Sequence, residues 1–309
     1  MDGVSLPAAS AHPGYALLDV GDGRRLERFG EVILDRPAPS AEGHVAREPR
    51  TWASADAHFD RADRGDVAHE GWTTISGSPI EPWSIDEGDL RLELRLASSG
   101  QVGLFPEQAA NRAWIGRQTT RLVEADAHRG GKPARPAILN LFGYTGAGTL
   151  AGARRGAALT HVDASRPAVA WARRNAELNE LADAPIRWIS DDAATFAERE
   201  LRRGRRYAGV ILDPPSYGHG AGGRPWRLAD DLPGLLATCA ALLVDGPAFI
   251  ILTAHTPGFG PDRLGEAMLD ALEPEIGADA GARIEVDDQS LLSDTGTRLH
   301  LGAMARWTQ

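Results

Sequence analysis

Hydrophobic and polar positions change their spacing along this chain, and the change marks two differently built parts. Between residues 15 and 96 the pattern is that of strands and turns. Segments 15–20 and 24–29 flank Gly21-Asp22-Gly23, the composition of a tight hairpin. Leu90, Leu92, Leu94 and Leu96 alternate with mostly charged residues, the period of a half-buried strand. Residues 37–50, rich in Pro, Ala and Gly, read as a surface connection. Residues 107–124 have helix-forming composition, and the stretch AHRGGKPARP (127–136) then breaks the pattern. The chain is therefore read as a β-rich region, 1–126, and a second domain, 127–309.

In the second domain strands and helices take turns. Strands are predicted over 137–141, 159–162, 186–189, 207–212 and 248–252. Helices are predicted over 148–155, from an N-cap at Ser165 to residue 179, and over 193–203. The stripe Leu232, Leu235, Leu236, Cys239 and Leu243 predicts another helix, and Leu264, Met268 and Leu272 a last one. Two strands, 283–292 and 298–307, close the chain around the turn Ser293-Asp294-Thr295-Gly296. Alternation of this kind implies an α/β fold with a parallel sheet and right-handed crossovers. The closing hairpin adds a strand that must run antiparallel, unlike the all-parallel sheet of a plain dinucleotide-binding domain.

Composition narrows the function without choosing it. The 309 residues are 42% hydrophobic and 25% charged, ordinary for a globular protein. There is no apolar run of membrane-spanning length and no leader pattern, so a cytoplasmic protein that does not enter a membrane is expected. The single cysteine, Cys239, excludes an internal disulfide and a cysteine-rich metal site, and no metal is expected. A net charge of −10 argues against non-specific coating of nucleic acid. Arg199, Arg202, Arg203, Arg205 and Arg206 cluster at the end of the 193–203 helix, which should run away from the carboxyl edge of the sheet; they read as a solvated face. Trp52, Trp72 and Trp83 read as core anchors.

Four signals carry chemistry, each following a predicted strand. Asn140-Leu-Phe-Gly-Tyr-Thr-Gly-Ala-Gly-Thr149 is a glycine-rich turn whose spacing differs from the dinucleotide fingerprint, so its ligand need carry no phosphate. Asp163, ending the next strand, can accept hydrogen bonds from both hydroxyls of a ribose. Asp191-Asp192 can meet an adenine amino group. Helix capping is the alternative for these acidic residues. Asp213-Pro-Pro-Ser-Tyr217 offers a carboxylate, a carbonyl left unused by the strand, and an aromatic face, which together can hold a nucleobase edge. For methyl transfer from a sulfonium the protein mainly has to align the acceptor lone pair, so positioning carries much of the catalysis.

These residues, in this order, resemble the bacterial class I methyltransferases, closest to the group that modifies large-subunit (23S) ribosomal RNA. The helix segment Ala172-Arg-Arg-Asn-Ala-Glu-Leu-Asn179 and Gly103-Leu-Phe-Pro-Glu-Gln-Ala-Ala-Asn-Arg112 share in the resemblance. It implies a Rossmann-like seven-stranded sheet with an antiparallel last strand, S-adenosyl-L-methionine as cofactor, and ribosomal RNA as substrate and partner. It also implies that the smaller β-rich region covers the cofactor and substrate edge. The cofactor contacts it implies are Phe105, Gln108, Asn111, Asn140, Phe142, Gly143, Thr145, Gly146, Asp163, Ala164, Asp191, Asp192 and Asp213. The acceptor-side residues are Asp213, Pro214, Pro215, Ser216 and Tyr217; His255, at the substrate edge of the sheet, either orients or deprotonates an acceptor or caps its strand.

The relatives that methylate cytosine at carbon 5 carry a nucleophilic cysteine after the fifth strand, where this chain has Thr253-Ala-His-Thr256. Cys239 lies on an apolar helix stripe and reads as packing. Carbon methylation is therefore not expected, whereas methylation of a base nitrogen needs no such nucleophile. Two other readings share parts of the pattern. A nicotinamide-dependent oxidoreductase would use the glycine turn and Asp163 but has no need of DPPSY. A methyltransferase-like RNA-binding or assembly factor would keep the fold without turnover. His219, in the glycine-rich run after DPPSY, is either on a loop that closes over substrate or in a plain linker.

Overall fold

The structure, a computed structural model, describes residues 14–60, 71–128, 135–219 and 225–309. By its internal contacts the chain divides into two units, Met1–Glu107 with Ser290–His300, and Gln108–Gln289 with Leu301–Gln309.

The first unit is β-rich, as its alternation predicts. Strands β1 (Tyr15–Gly21), β2 (Arg24–Phe29), β3 (Val32–Pro37), β4 (Ala57–Asp60) and β5 (Gly71–Thr74) form one sheet in that order, with only β3 and β4 parallel. A short helix, α1 (Pro49–Trp52), precedes β4, and β6 (Trp83–Glu87) pairs with β7 (Leu90–Leu94) as a separate hairpin. The predicted turn between β1 and β2 is made by Asp22 and Gly23, both at positive φ (54° and 72°), the two-residue turn that suits the strand twist. Val20, Leu26, Phe29 and Leu34 are fully buried beneath it. The three tryptophans are half-buried rather than core, and each is tied down by its ring N–H: Trp72 Nε1 donates to the Ala97 carbonyl, Trp83 Nε1 to that of Phe29, and Trp52 Nε1 to Asp19.

Asp19 is the polar centre of this unit. Its buried carboxylate accepts from the backbone N–H of Val20, Arg47 and Glu48, from Trp52 Nε1 and from Thr295 Oγ1, all at 2.9–3.0 Å. Burial alone would raise its pKa, but these donors outweigh burial and hold the carboxyl below its usual value. The 290–300 segment thereby joins β1, where Asp294 N–H also donates to the Leu17 carbonyl.

The second unit begins with α2 (Ala109–His128) and continues through β8 (Ala137–Leu141), α3 (Ala147–Ala153), β9 (Ala158–Asp163), α4 (Arg166–Leu178), β10 (Ile186–Ser190) and α5 (Ala193–Arg202). There follow β11 (Gly209–Leu212), the short pair β12 (Tyr217–His219) and β13 (Pro225–Arg227), α6 (Leu228–Ala241), β14 (Phe249–Ala254), α7 (Pro261–Ile276), β15 (Ile284–Leu292) and β16 (Arg298–Thr308), the last two joined by the Ser290–His300 segment that belongs to the first unit. The seven-stranded sheet has the order β10-β9-β8-β11-β14-β16-β15. Its first five strands are parallel and β16 runs antiparallel to β14, the arrangement that the closing hairpin implies. Every residue of β11 and β14 is buried, since both faces of a helix-covered sheet are inside.

The chain leaves β8 toward β9 and β10, then returns on the other side to β11. The crevice at the carboxyl ends of β8 and β11 is therefore the switch point where such sheets bind ligands. Helix α2 is where contacts and local pattern part company. The sequence boundary after residue 126 leaves it with the β-rich region, yet it packs on α3 and sets Trp114 edge-on to Phe249 of β14, centroids 5.4 Å apart. Cys239 is fully buried in α6, which pushes its thiol up to about 12 and leaves it a packing residue.

Candidate active site

The glycine-rich turn after β8 is an unusual piece of backbone. Phe142 and Tyr144 take positive φ (57° and 48°), and Gly146 follows at 88°. A Cβ on Gly146 would come within 2.9 Å of Ala172 Cβ on α4, and one on Gly143 within 2.5 Å of the buried His161 ring. Buried polar groups pin the turn from below. Asn140 Nδ2 donates to Thr149 Oγ1 (2.8 Å), which meets His161 Nδ1 at 2.9 Å. Asn175 Nδ2, from α4, donates to the Thr145 carbonyl at 2.9 Å. Burial pushes His161 down to about 3, so it stays neutral. Gly143→Ala should therefore crowd a rigid floor and lower stability by about 1–3 kcal/mol; thermal denaturation measures it, and an unchanged midpoint would show that the floor gives way.

Asp163, ending β9, is half-buried. Burial raises its pKa, offset in part by the backbone N–H groups of Ser165 and Tyr144, each 2.8 Å from one oxygen. Ala164 beside it is exposed. Past β10, Asp192 does cap a helix: its Oδ1 accepts from Thr195 N–H at 2.8 Å at the start of α5. Asp191 accepts from Asp192 N–H and forms an ion pair with Arg199. That pair corrects the expectation for Arg199. Its guanidinium reaches back along α5, over the Phe196 ring, to the carboxyl edge of the sheet. Arg202 and Arg203 do pair with neighbours on their own helix, Glu198 and Glu200.

The DPPSY segment leaves β11 beside the end of β14. Asp213 Oδ1 accepts from Thr253 Oγ1 at 2.5 Å and lies 3.3 Å from His255 Nε2. Burial would raise the Asp213 pKa, but the charge of His255 and the hydrogen bonds from His255 and Thr253 outweigh it and hold the carboxyl low. His255 Nδ1 lies 2.6 Å from the Leu301 carbonyl, a pure acceptor, so Nδ1 carries a proton and Nε2 is the atom that can gain or give one. Ser216 Oγ bonds Thr256 Oγ1 at 2.6 Å. The Pro215 carbonyl accepts from Trp226 Nε1 (2.8 Å), and the Ser216 carbonyl from Leu228 N–H. The Pro214 carbonyl has no hydrogen-bond partner among the described residues. Tyr217 is 77% exposed, a ring open to stacking. Trp226→Phe should free the Pro215 carbonyl and let the segment drift; crystal coordinates of the variant would show whether it moves.

Gln108, expected as a cofactor contact from the resemblance alone, lies beside Asp213, Thr253 and His255. Its Nε2 stands 3.2 Å from Thr253 Oγ1, 3.4 Å from Asp213 Oδ2 and 3.4 Å from His255 Nε2. Asn111 is buried one helical turn on, with its amide nitrogen on Gln108 and its oxygen on Arg306. Phe105 belongs to the other unit. Residues 220–224, with most of the proposed closing loop, lie outside the described residues. Sequence reasoning missed Thr253, Thr256, Trp226 and Arg306. The two threonines flank His255 in the segment that replaces the cysteine, and that proximity was the available signal. Arg306 had none.

A family model described as S-adenosylmethionine-dependent methyltransferase matches residues 44–273. A SAM-dependent methyltransferase of known structure from Agrobacterium tumefaciens is 30% identical, with 98% of this chain and 94% of that one covered and a TM-score of 0.84. The ribosomal RNA large subunit methyltransferase I of Shewanella amazonensis is 29% identical over 66% of this chain and 52% of its own length. The K/L enzyme of Methylococcus capsulatus is 33% identical over 43% of this chain and 16% of its own. The chain thus spans about half the length of the first of these curated relatives, or less. With most of its length matched by the family model, and a relative of known structure aligned almost end to end, the chain belongs to the S-adenosylmethionine-dependent methyltransferases.

Proposed function

We propose that this methyltransferase modifies a base nitrogen in ribosomal RNA, and so works in the cytoplasm. One observation carries the reading: an Asp213 carboxylate held ionised, followed by a Pro214 carbonyl with no hydrogen-bond partner among the described residues, and by the exposed Tyr217 ring. Two acceptors on successive residues suit the N–H groups of a base amine or ring nitrogen, and an open aromatic face suits the base itself. The names of the large-subunit relatives support the substrate class.

The cofactor fits the residues present. Asp163 accepts one backbone N–H on each oxygen and keeps further lone pairs for a ribose diol. Asp192 uses one oxygen as a helix cap, leaving the other for an adenine amino group, whereas Asp191 is held by Arg199. Gly143, Phe142, Thr145 and Gly146 shape the turn, Ala164 adjoins Asp163, and Asn140 supports the turn from beneath. When bound, S-adenosylmethionine supplies an electrophilic methyl group on a sulfonium. Asp213 and the Pro214 carbonyl then orient the acceptor nitrogen through its hydrogens, so that its lone pair is free. His255 Nε2 is placed to take, in its neutral form, the proton that nitrogen sheds, and the Asp213 carboxylate 3.3 Å away stabilises the imidazolium so formed. Ser216, locked to Thr256, and Pro215, locked to Trp226, keep the segment still.

Calorimetric titration with S-adenosylhomocysteine tests the first half of this reading. The wild type should bind, and Asp163→Ala should bind at least about tenfold more weakly. Transfer of labelled methyl onto unmodified ribosomal RNA tests the second half. A folded protein that binds the cofactor product but labels no RNA would overturn the assignment of substrate.

A further inference from the structure

A row of polar groups leads from β16 to the acceptor face. Arg306 donates from its guanidinium to Asn111 Oδ1. Asn111 Nδ2 donates to Gln108 Oε1 at 2.6 Å. Gln108 Nε2 then faces Thr253, Asp213 and His255. Taken alone, either amide could be turned over with little change of shape, exchanging its donor for its acceptor. An arginine has no such freedom, because a guanidinium only donates. It draws the Asn111 oxygen toward itself, which aims the Asn111 nitrogen at Gln108. The Gln108 oxygen must therefore meet Asn111, and its N–H groups must meet the acceptor face.

The direction set at Arg306 thus passes through two amides and arrives as a pair of N–H donors. With Gln108 so turned, Thr253 Oγ1 accepts from it and spends its own hydrogen on Asp213 Oδ1. Turned the other way, Gln108 would put an oxygen against Asp213 Oδ2 and would compete for the Thr253 hydrogen that holds Oδ1. The near side of the relay is well braced. Asn111 is buried, and the Arg306 guanidinium lies 5.2 Å from the Trp114 ring centre, which restricts where it can swing.

The geometry points to Arg306 and Asn111 as positioning residues for methyl transfer: they fix the polarity of Gln108, and through it the lone pairs that Asp213 offers the acceptor. This deepens the proposed function, resting on Asp213 as the residue that orients the acceptor. Two amides between a donor-only residue and a carboxylate act as a polarity relay.

The test compares wild type, Arg306→Met, which keeps the stem but not the donor, and Arg306→Lys, which keeps a donor. Nuclear Overhauser contacts from the Gln108 side-chain NH₂ to the Thr253 methyl group should be present in wild type and Arg306→Lys and lost in Arg306→Met. The turnover number for unmodified ribosomal RNA should fall about 10- to 100-fold in Arg306→Met with KM unchanged, and recover in Arg306→Lys. Unchanged Gln108 contacts in Arg306→Met would overturn the relay, as would a loss of turnover that lysine fails to restore. Should Arg306→Met not fold, Asn111→Asp serves instead, since it still accepts from Arg306 but has nothing to donate to Gln108. If even the wild type leaves this RNA unmethylated, the substrate assignment falls, while the Gln108 contacts still decide the relay.

Discussion

Asp213→Asn should lower methyl transfer by about 10²- to 10⁴-fold while S-adenosylhomocysteine still binds. The substitution keeps the shape and removes the charge. An acceptor oxygen is replaced by a donor amide, which meets the acceptor nitrogen hydrogen against hydrogen, and an imidazolium at His255 loses the anion 3.3 Å away. The pH profile should carry the same signature. Because the Asp213 pKa is held below its usual value, the carboxylate stays ionised as pH falls through the ordinary range, about 4, and is lost only below it. Wild-type activity should therefore show no acidic loss from this group above about pH 4. Retention of full activity in Asp213→Asn would remove the residue from the mechanism.

The largest stability effect should come from Asp19→Ala, at about 3–5 kcal/mol and a fall of about 10 °C in the first thermal transition. The loss is large because the carboxylate is one acceptor for five donors, and its removal leaves them facing an apolar hole. The sign of the pH dependence follows from the depressed pKa. The stabilisation is fully present above the unfolded value, about 3.9, and disappears as pH falls through the folded value below it. The gap between wild type and variant should be constant above about pH 5 and close in acid. A gap that persists unchanged into strong acid would mean that the carboxylate is not the source of the stability.

Much of the fold was legible because it rests on short-range regularities. The buried run of β14, the N-cap at Ser165 and the Asp22-Gly23 turn are each decided within a few residues. The candidate site was legible for a related reason: each of its motifs follows a strand of one sheet, so that segments far apart in the chain come to the same carboxyl edge. What escaped was whatever depends on a remote partner. Helix α2 was recognised as a helix, but only its packing on α3 assigns it to the second unit. Arg199 was read from the direction of its helix, although a long side chain can reach back along that helix to Asp191. Arg306 meets Asn111 across 195 positions of sequence; the segment around Asn111 shares in the resemblance, but no local pattern marks Arg306.

The Asp19–Thr295 bond joins residues 276 positions apart, within a single unit. On a ribosome adding about 5–20 residues per second, the carboxylate emerges about 15–50 s before the hydroxyl that completes its shell. The β-rich unit, begun before the second unit, is thus finished only after most of the second has been made. Until then one edge of the Asp19 shell stays open to water, and translation of the turn at 293–296 is the event that closes it.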